Sequence, residues 1–132
     1  MSSSARTSTP PDRRKTVAVV GYSANPDRPS HRVAAYLKAR GYRVVAVNPG
    51  LDEALGGKAY PRVRDIPGGV DIVDVFRKPE AAPEIVEDAL AAKAKVVWMQ
   101  EGIVHNAAAG KARAAGLKVV MNKCMMKEHR GL

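Results

Sequence analysis

A chain of 132 residues with 45% hydrophobic content is long enough for one domain with a real core and too short for a cofactor domain joined to a separate catalytic domain. No apolar run approaches the ~20 residues that span a bilayer, the polar start lacks the apolar centre of a secretory signal, and a single cysteine, Cys124, excludes an internal disulfide. The formal charge of +9 is mostly terminal, with net +3 in residues 1–15 and again in 118–132, and no basic run with interleaved aromatics offers a nucleic-acid surface.

A cytoplasmic protein with no membrane or specific nucleic-acid partner is therefore expected. Residues 1–15, rich in Ser, Thr, Pro and Arg, show no apolar periodicity and read as a disordered tail before a single domain over 16–132. Residues 16–20 form a β-branched run closed by Gly21, which predicts a strand buried on both faces. A polar loop leads to Ser30, read as the N-cap of a helix over 30–40 whose apolar face is Val33, Ala34 and Leu37 and whose stop is Gly41. Residues 43–47 predict a second strand, ended by Asn48-Pro49-Gly50.

A helical turn over 51–55 and a weakly signalled strand near 60–63 are expected next, before the turn at Ile66-Pro67-Gly68-Gly69. Residues 70–76 then predict a strand, and 79–92 a helix with proline in its first turn. A strand over 95–99, a helix over 104–115 and a last strand over 117–121 complete the chain. Strands alternating with helices on short loops predict an α/β fold with a doubly wound, mainly parallel sheet in three α/β/α layers. Ligands of such sheets lie beyond the carboxyl ends of the strands, here the segments 21–30, 48–50, 76–79, 99–102 and 122–124.

A strand that delivers the backbone through a glycine to a helix N-terminus is a phosphate-binding arrangement, because free N–H groups and the helix dipole favour anions. A nicotinamide dinucleotide would want G-x-G-x-x-G and an acidic residue after the second strand. Ser23 and Pro26 replace the second and third glycines, and Asn48-Pro49 replaces the acid, so NAD is disfavoured. The loop still suits a pyrophosphate through the close approach allowed by Gly21, the donors of Ser23 and Ser30, and the charge of Arg28. Singly, Gly21 reads as well as a tight turn, Ser30 as a cap and Arg28 as a solvated charge; on one loop together they favour an anion site.

Candidates for catalysis are few. His31, His105, His129 and Cys124 show no metal-ligand spacing, and His105 reads as an exposed or capping residue. Asp71 and Asp74 point to opposite faces of one strand and make no carboxylate pair, so Asp74 reads as structural. Cys124 reads as a small buried residue, with the alternative that it meets a bound thiol just past the last strand.

The motifs G-Y-S-A-N-P-D-R-P-S, N-P-G, D-I-V-D-V-F-R-K-P-E, V-V-W-M-Q-E-G-I-V and the ending N-K-C-M, in this order, resemble the small bacterial CoA-binding proteins. Their single domain is similar to the CoA-binding domain of the succinyl-CoA synthetase α subunit. The resemblance covers residues 15–129 and implies a Rossmann-like fold with coenzyme A over the strand ends. It places the pyrophosphate on Gly21, Tyr22, Ser23 and the helix start at Ser30, and the adenosine along Val47, Asn48 and Pro49. Phe76, Arg77 and Pro79 would flank the nucleotide or the pantetheine arm, and Gln100, Glu101 and Gly102 would close the wall.

The three phosphate groups of CoA match a cationic rim of Arg28, Arg77 and Lys78. The synthetase domain carries a lysine after its second-strand Pro-Gly for the 3′-phosphate; Leu51 stands here, which leaves Lys58 as the substitute. The phosphoryl transfer of the synthetase uses a histidine in a second domain and an ATP-grasp partner, so no reaction is inherited. The expectation is a non-catalytic carrier, buffer or sensor of CoA or acyl-CoA, alone or with an unidentified protein partner. The alternative is an NAD(P)-linked oxidoreductase or an acyl-CoA-processing enzyme that needs a separate catalytic subunit.

Overall fold

Short runs of Val, Ile and Ala have no room for a polar face, so they form stable strands only when covered on both sides. In the computed structural model, which describes residues 15–125, five such runs make one parallel sheet. The elements are β1 (Thr16–Val20), α1 (Pro29–Ala39), β2 (Arg43–Val47), β3 (Glu53–Ala54), β4 (Gly57–Lys58), β5 (Ile72–Val75), α2 (Ala82–Ala91), β6 (Val96–Met99), α3 (Asn106–Ala114) and β7 (Lys118–Val120). The expected tail, apart from Lys15, lies outside the described residues.

The sheet order is β2-β1-β5-β6-β7, a Rossmann-like α/β arrangement with β1, flanked by β2 and β5, buried along its whole length. Side chains of β1 divide by parity between two cores. Val17 and Val19 meet Val33, Ala34 and Leu37 of α1, whereas Ala18 and Val20 join the cluster that holds Ile85, Val86 and Ala89 of α2 and Ala108 and Ala112 of α3. Helices thus cover both faces. From β1 the chain goes to β2 on one side, and β5 lies on the other, so the crevice between the β1 and β5 loops is the topological switch point.

Several local expectations change. The first helix begins at Pro29, not Ser30; Arg28 occupies the N-cap position without a side-chain cap, because a proline with no N–H suits the first turn. Ser30 is instead buried inside that turn, and its Oγ accepts the Ser23 N–H at 3.0 Å. In place of a helical turn over 51–55, β3 and β4 form an antiparallel hairpin whose two turn residues, Leu55 and Gly56, have φ of 59° and 79°. Positive φ at both positions matches the right-handed twist of the strands, which a helical turn would not.

The weak third strand shrinks to one bridge between Tyr60 and Val47, after which the chain enters a 3₁₀ turn at Val63–Asp65. The helix expected over 79–92 starts as a 3₁₀ turn, Pro79–Ala81, because Pro83 has no N–H to give the Pro79 carbonyl. His105 caps α3, its Nδ1 accepting the Ala108 N–H at 3.0 Å.

Candidate functional site

The site grows from Gly21. Its N–H donates to the Val47 carbonyl at 2.9 Å, which ties the end of β1 to the end of β2, and the Phe76 N–H donates to the Val20 carbonyl at 2.9 Å, which ties it to the end of β5. Gly21 has φ of +87°, and a Cβ there would lie 3.1 Å from the Phe76 carbonyl oxygen and 3.0 Å from Arg77 Cδ. Only glycine takes this conformation without strain, so the close approach of the two loops depends on it.

The following loop braces itself. Asn25 N–H donates to Ser23 Oγ (3.1 Å), Asp27 N–H to Asn25 Oδ1 (3.0 Å), and Arg32 Nη1 to the Asp27 carbonyl (2.8 Å). The hydroxyls of Ser23 and Ser30 each accept a backbone N–H, and each keeps its own proton to donate. Tyr22 is buried beneath the loop, where burial raises its phenol pKa; its OH lies 3.2 Å from His31 Nδ1 and the rings stack at 5.7 Å. Asn48 locks the second strand end to the first, its Nδ2 donating to the Tyr22 carbonyl and its Oδ1 accepting from Gly50 N–H, both at 2.8 Å.

A cavity of about 460 Å³ opens at this crevice, within the size range of small-molecule sites. It brings together Gly21, Tyr22, Ser23, Arg28, Ser30, Asn48, Phe76, Gln100 and Glu101 of the expected set, with Pro29, Ile103 and Cys124 added. Val47 and Arg77 line instead a neighbouring cavity of about 110 Å³, beside Val20, Arg62 and Asp88. Pro49, Pro79 and Gly102 line neither. Lys58 stands on the hairpin with its Nζ 5.4 Å from the centre of the Tyr60 ring. A further cavity of about 520 Å³ lies among Thr16, Asp71 and Lys93 at the amino ends of the strands, the wrong end for a ligand of this fold.

The far wall is held by Gln100, which is 4% exposed although it lines the cavity. Its Oε1 accepts the Met125 N–H at 3.3 Å and its Nε2 donates to Asp74 Oδ1. Asp74 is fully buried, and burial pushes its carboxyl up to about 8, opposed only in part by the Gln100 hydrogen bond. Sequence reasoning missed this partnership, and also the His31 contact under the loop. Cys124 is half-buried rather than fully buried, at the edge of the same cavity. Among the described residues no group of His, Cys, Asp and Glu is placed to hold a metal ion, and no helix is long and apolar enough to cross a membrane.

Comparison with known proteins gives the family of the chain. Residues 15–130 match the CoA binding domain family. The chain is 42% identical over 117 residues to the Bacillus subtilis protein YneT, described as uncharacterized, covering 89% of this chain and 87% of YneT. A hypothetical protein from the archaeon Pyrococcus horikoshii has the same fold in its solved structure, with a TM-score of 0.87 and 46% identity over 92% of this chain and 86% of that one. The chain is also 33% identical over 76 residues to an ADP-forming acetate–CoA ligase of Archaeoglobus fulgidus, a stretch that covers 56% of this chain but only 11% of the ligase.

Proposed function

The chain belongs to the CoA binding domain family, and from that premise we propose that it binds coenzyme A or acyl-CoA, without catalysis of its own, as a carrier, buffer or sensor. The observation that carries this reading is the cavity of about 460 Å³ beyond the ends of β1 and β5, lined by Gly21, Ser23 and the first turn of α1, where a pyrophosphate would meet free backbone N–H groups. Ser23 and Ser30 supply hydroxyl donors on one side, and Arg28 stands exposed on the rim to meet a phosphate. The apolar side chains of Phe76 and Ile103 suit the pantetheine arm, with Gln100, Glu101 and Cys124 at the far wall.

A second reading is favoured by the ligase: a stretch of this chain recurs as about a tenth of an acetate–CoA ligase, so the chain could serve an acyl-CoA enzyme whose catalytic groups reside on another subunit. A nicotinamide enzyme has less support, since Asn48 spends its amide on Tyr22 and Gly50 and stands at the end of β2 where a carboxylate would meet a ribose diol.

Calorimetric denaturation with each ligand in turn tests the proposal, because a ligand at a hundred times its Kd adds about 2.7 kcal/mol of stability. Stabilisation by CoA and none by NAD or NADP is expected; the reverse pattern overturns the reading. Native mass spectrometry of gently purified protein would show CoA or an acyl-CoA still bound, and turnover of acyl-CoA by the protein alone would rule out the non-catalytic role.

A further inference from the structure

Asp74 is an unusual residue to find in the centre of a parallel sheet. It stands on the α1 side of β5, opposite Val19 of β1 and Trp98 of β6, in a row where an apolar side chain would cost far less. Its Oδ1 accepts from Gln100 Nε2, and its Oδ2, fully buried, has no hydrogen-bond partner among the described residues. Among the described residues the surrounding elements bring no charge to it. From β1 it meets Val19, the α1 core residues on this side are Val33, Ala34 and Leu37, and Trp98 of β6 turns its indole N–H to the Lys123 carbonyl. His31 of α1 is directed to Tyr22 and the Ser23 carbonyl, and no ion pair of Asp74 occurs among the described residues.

Asp74 therefore acts on one group, the Gln100 amide. That amide joins two segments that come from different strand ends. Gln100 follows β6, and its Oε1 accepts the N–H of Met125, which lies beyond β7 beside Cys124. With Nε2 held by Asp74, Oε1 is fixed toward Met125; without an acceptor at Asp74 the amide has no reason to keep this orientation. An ionised Asp74 would place a bare charge on the orphaned Oδ2. It can be satisfied only by admitting water or by drawing a donor such as the Met125 N–H away from Gln100. Either change opens the wall.

We propose that Asp74 is a positioning residue of the ligand cavity: its neutral carboxyl holds the wall formed by Gln100 and Met125 closed, and its ionisation loosens that wall and weakens CoA binding. The effect on CoA rests on the reading given under Proposed function. Burial raises the Asp74 carboxyl to about 8, so the switch falls within reach of mildly alkaline conditions.

The test is calorimetric titration with CoA between about pH 6 and about pH 9.5, on the wild type, Asp74→Asn and Asp74→Leu. In the wild type Kd is expected to rise above about pH 8, with a slope of up to about tenfold per pH unit, the limit for one linked proton. Asp74→Asn keeps an acceptor for Gln100 and cannot ionise, so this slope should vanish; Asp74→Leu removes the acceptor and should weaken CoA about tenfold or more at every pH. The phosphates and thiol of the ligand titrate equally in all three proteins, so an Asp74→Asn slope equal to that of the wild type overturns the proposal.

If no protein binds CoA at any pH, the functional reading fails, and the positioning role is decided on the ligand-free wild type by NMR. The Gln100 side-chain amide and Met125 N–H signals should then move together with a midpoint near pH 8. Signals that stay still through that range overturn it, and this measurement needs no variant to fold.

Discussion

Two buried carboxylates on opposite faces of the sheet have contrasting surroundings. Asp88 of α2, 4% exposed, is clasped by three charge-assisted bonds: Arg62 Nε and Nη2 at 3.0 and 2.7 Å and Arg64 Nε at 2.8 Å. Asp74 of β5, 0% exposed, has one bond from a neutral amide and an orphaned oxygen. The clasp around Asp88 offsets the cost of burial and pins the 63–65 turn to α2, a structural task. Among the described residues no such compensation exists at Asp74, yet it is Asp74 that holds Gln100 of the cavity wall. A buried acid without an ionic partner is a titratable device as well as a packing element.

The largest expected effect is on stability as a function of pH. The unfolded carboxyl of Asp74 titrates near 3.8 and the folded one at about 8, so between these values the native state holds a proton the unfolded chain has lost. The contribution of Asp74 to stability should therefore be greatest below the lower value and fall as pH rises through the window, by up to about 6 kcal/mol in total. Urea denaturation across that range should show the slope in the wild type and a much flatter line in Asp74→Asn; parallel lines would erase the distinction between the two acids.

Gly21 separates the two regions, with the larger cavity on one side and Arg77 and Asp88 in the smaller one on the other. Gly21→Ala should cost about 1–3 kcal/mol of stability through positive φ and the clash with Phe76 and Arg77. It should also weaken CoA about tenfold or more in a calorimetric titration, because the loops can no longer meet. Asp88→Ala should destabilise by about 1–2 kcal/mol, since both arginines are 43% exposed and regain water. Its CoA affinity should follow the same pH profile as the wild type; a flattened profile would mean that the clasp also serves the cavity.

The smallest change is expected from Arg28→Ala. Arg28 is exposed on the rim, so stability should stay within about 0.5 kcal/mol in thermal denaturation. CoA affinity should drop about threefold to tenfold, with a weaker salt dependence than in the wild type.

Legibility followed the range of the interactions involved. Thr16–Val20 and Arg43–Val47 fall where their β-branched runs and the closing Gly21 and Asn48-Pro49-Gly50 put them, because the signal for a buried strand is contained in the strand. Helix starts are less legible. Ser30 is a good capping residue by type, but Pro29 begins the helix and turns the Ser30 hydroxyl back toward Ser23. The β3–β4 hairpin was hidden because Leu55, a residue with no turn preference, adopts the left-handed conformation that Gly56 shares. Of the residues assigned to the ligand, those on the first loop meet in one cavity, whereas Arg77 turns to the other side of Gly21.

The sequence by itself determined the alternation of strands and helices, the glycine and hydroxyls of the first loop, and Asn48-Pro49 in place of an acid at the end of the second strand, since each is encoded within a few neighbouring residues. Only the tertiary structure decided what surrounds the two buried acids. Asp74 meets Gln100, and Asp88 meets Arg62, each across 26 residues of chain. Strand order and register set such meetings, and no local pattern announces whether a buried carboxyl will find a guanidinium or an amide.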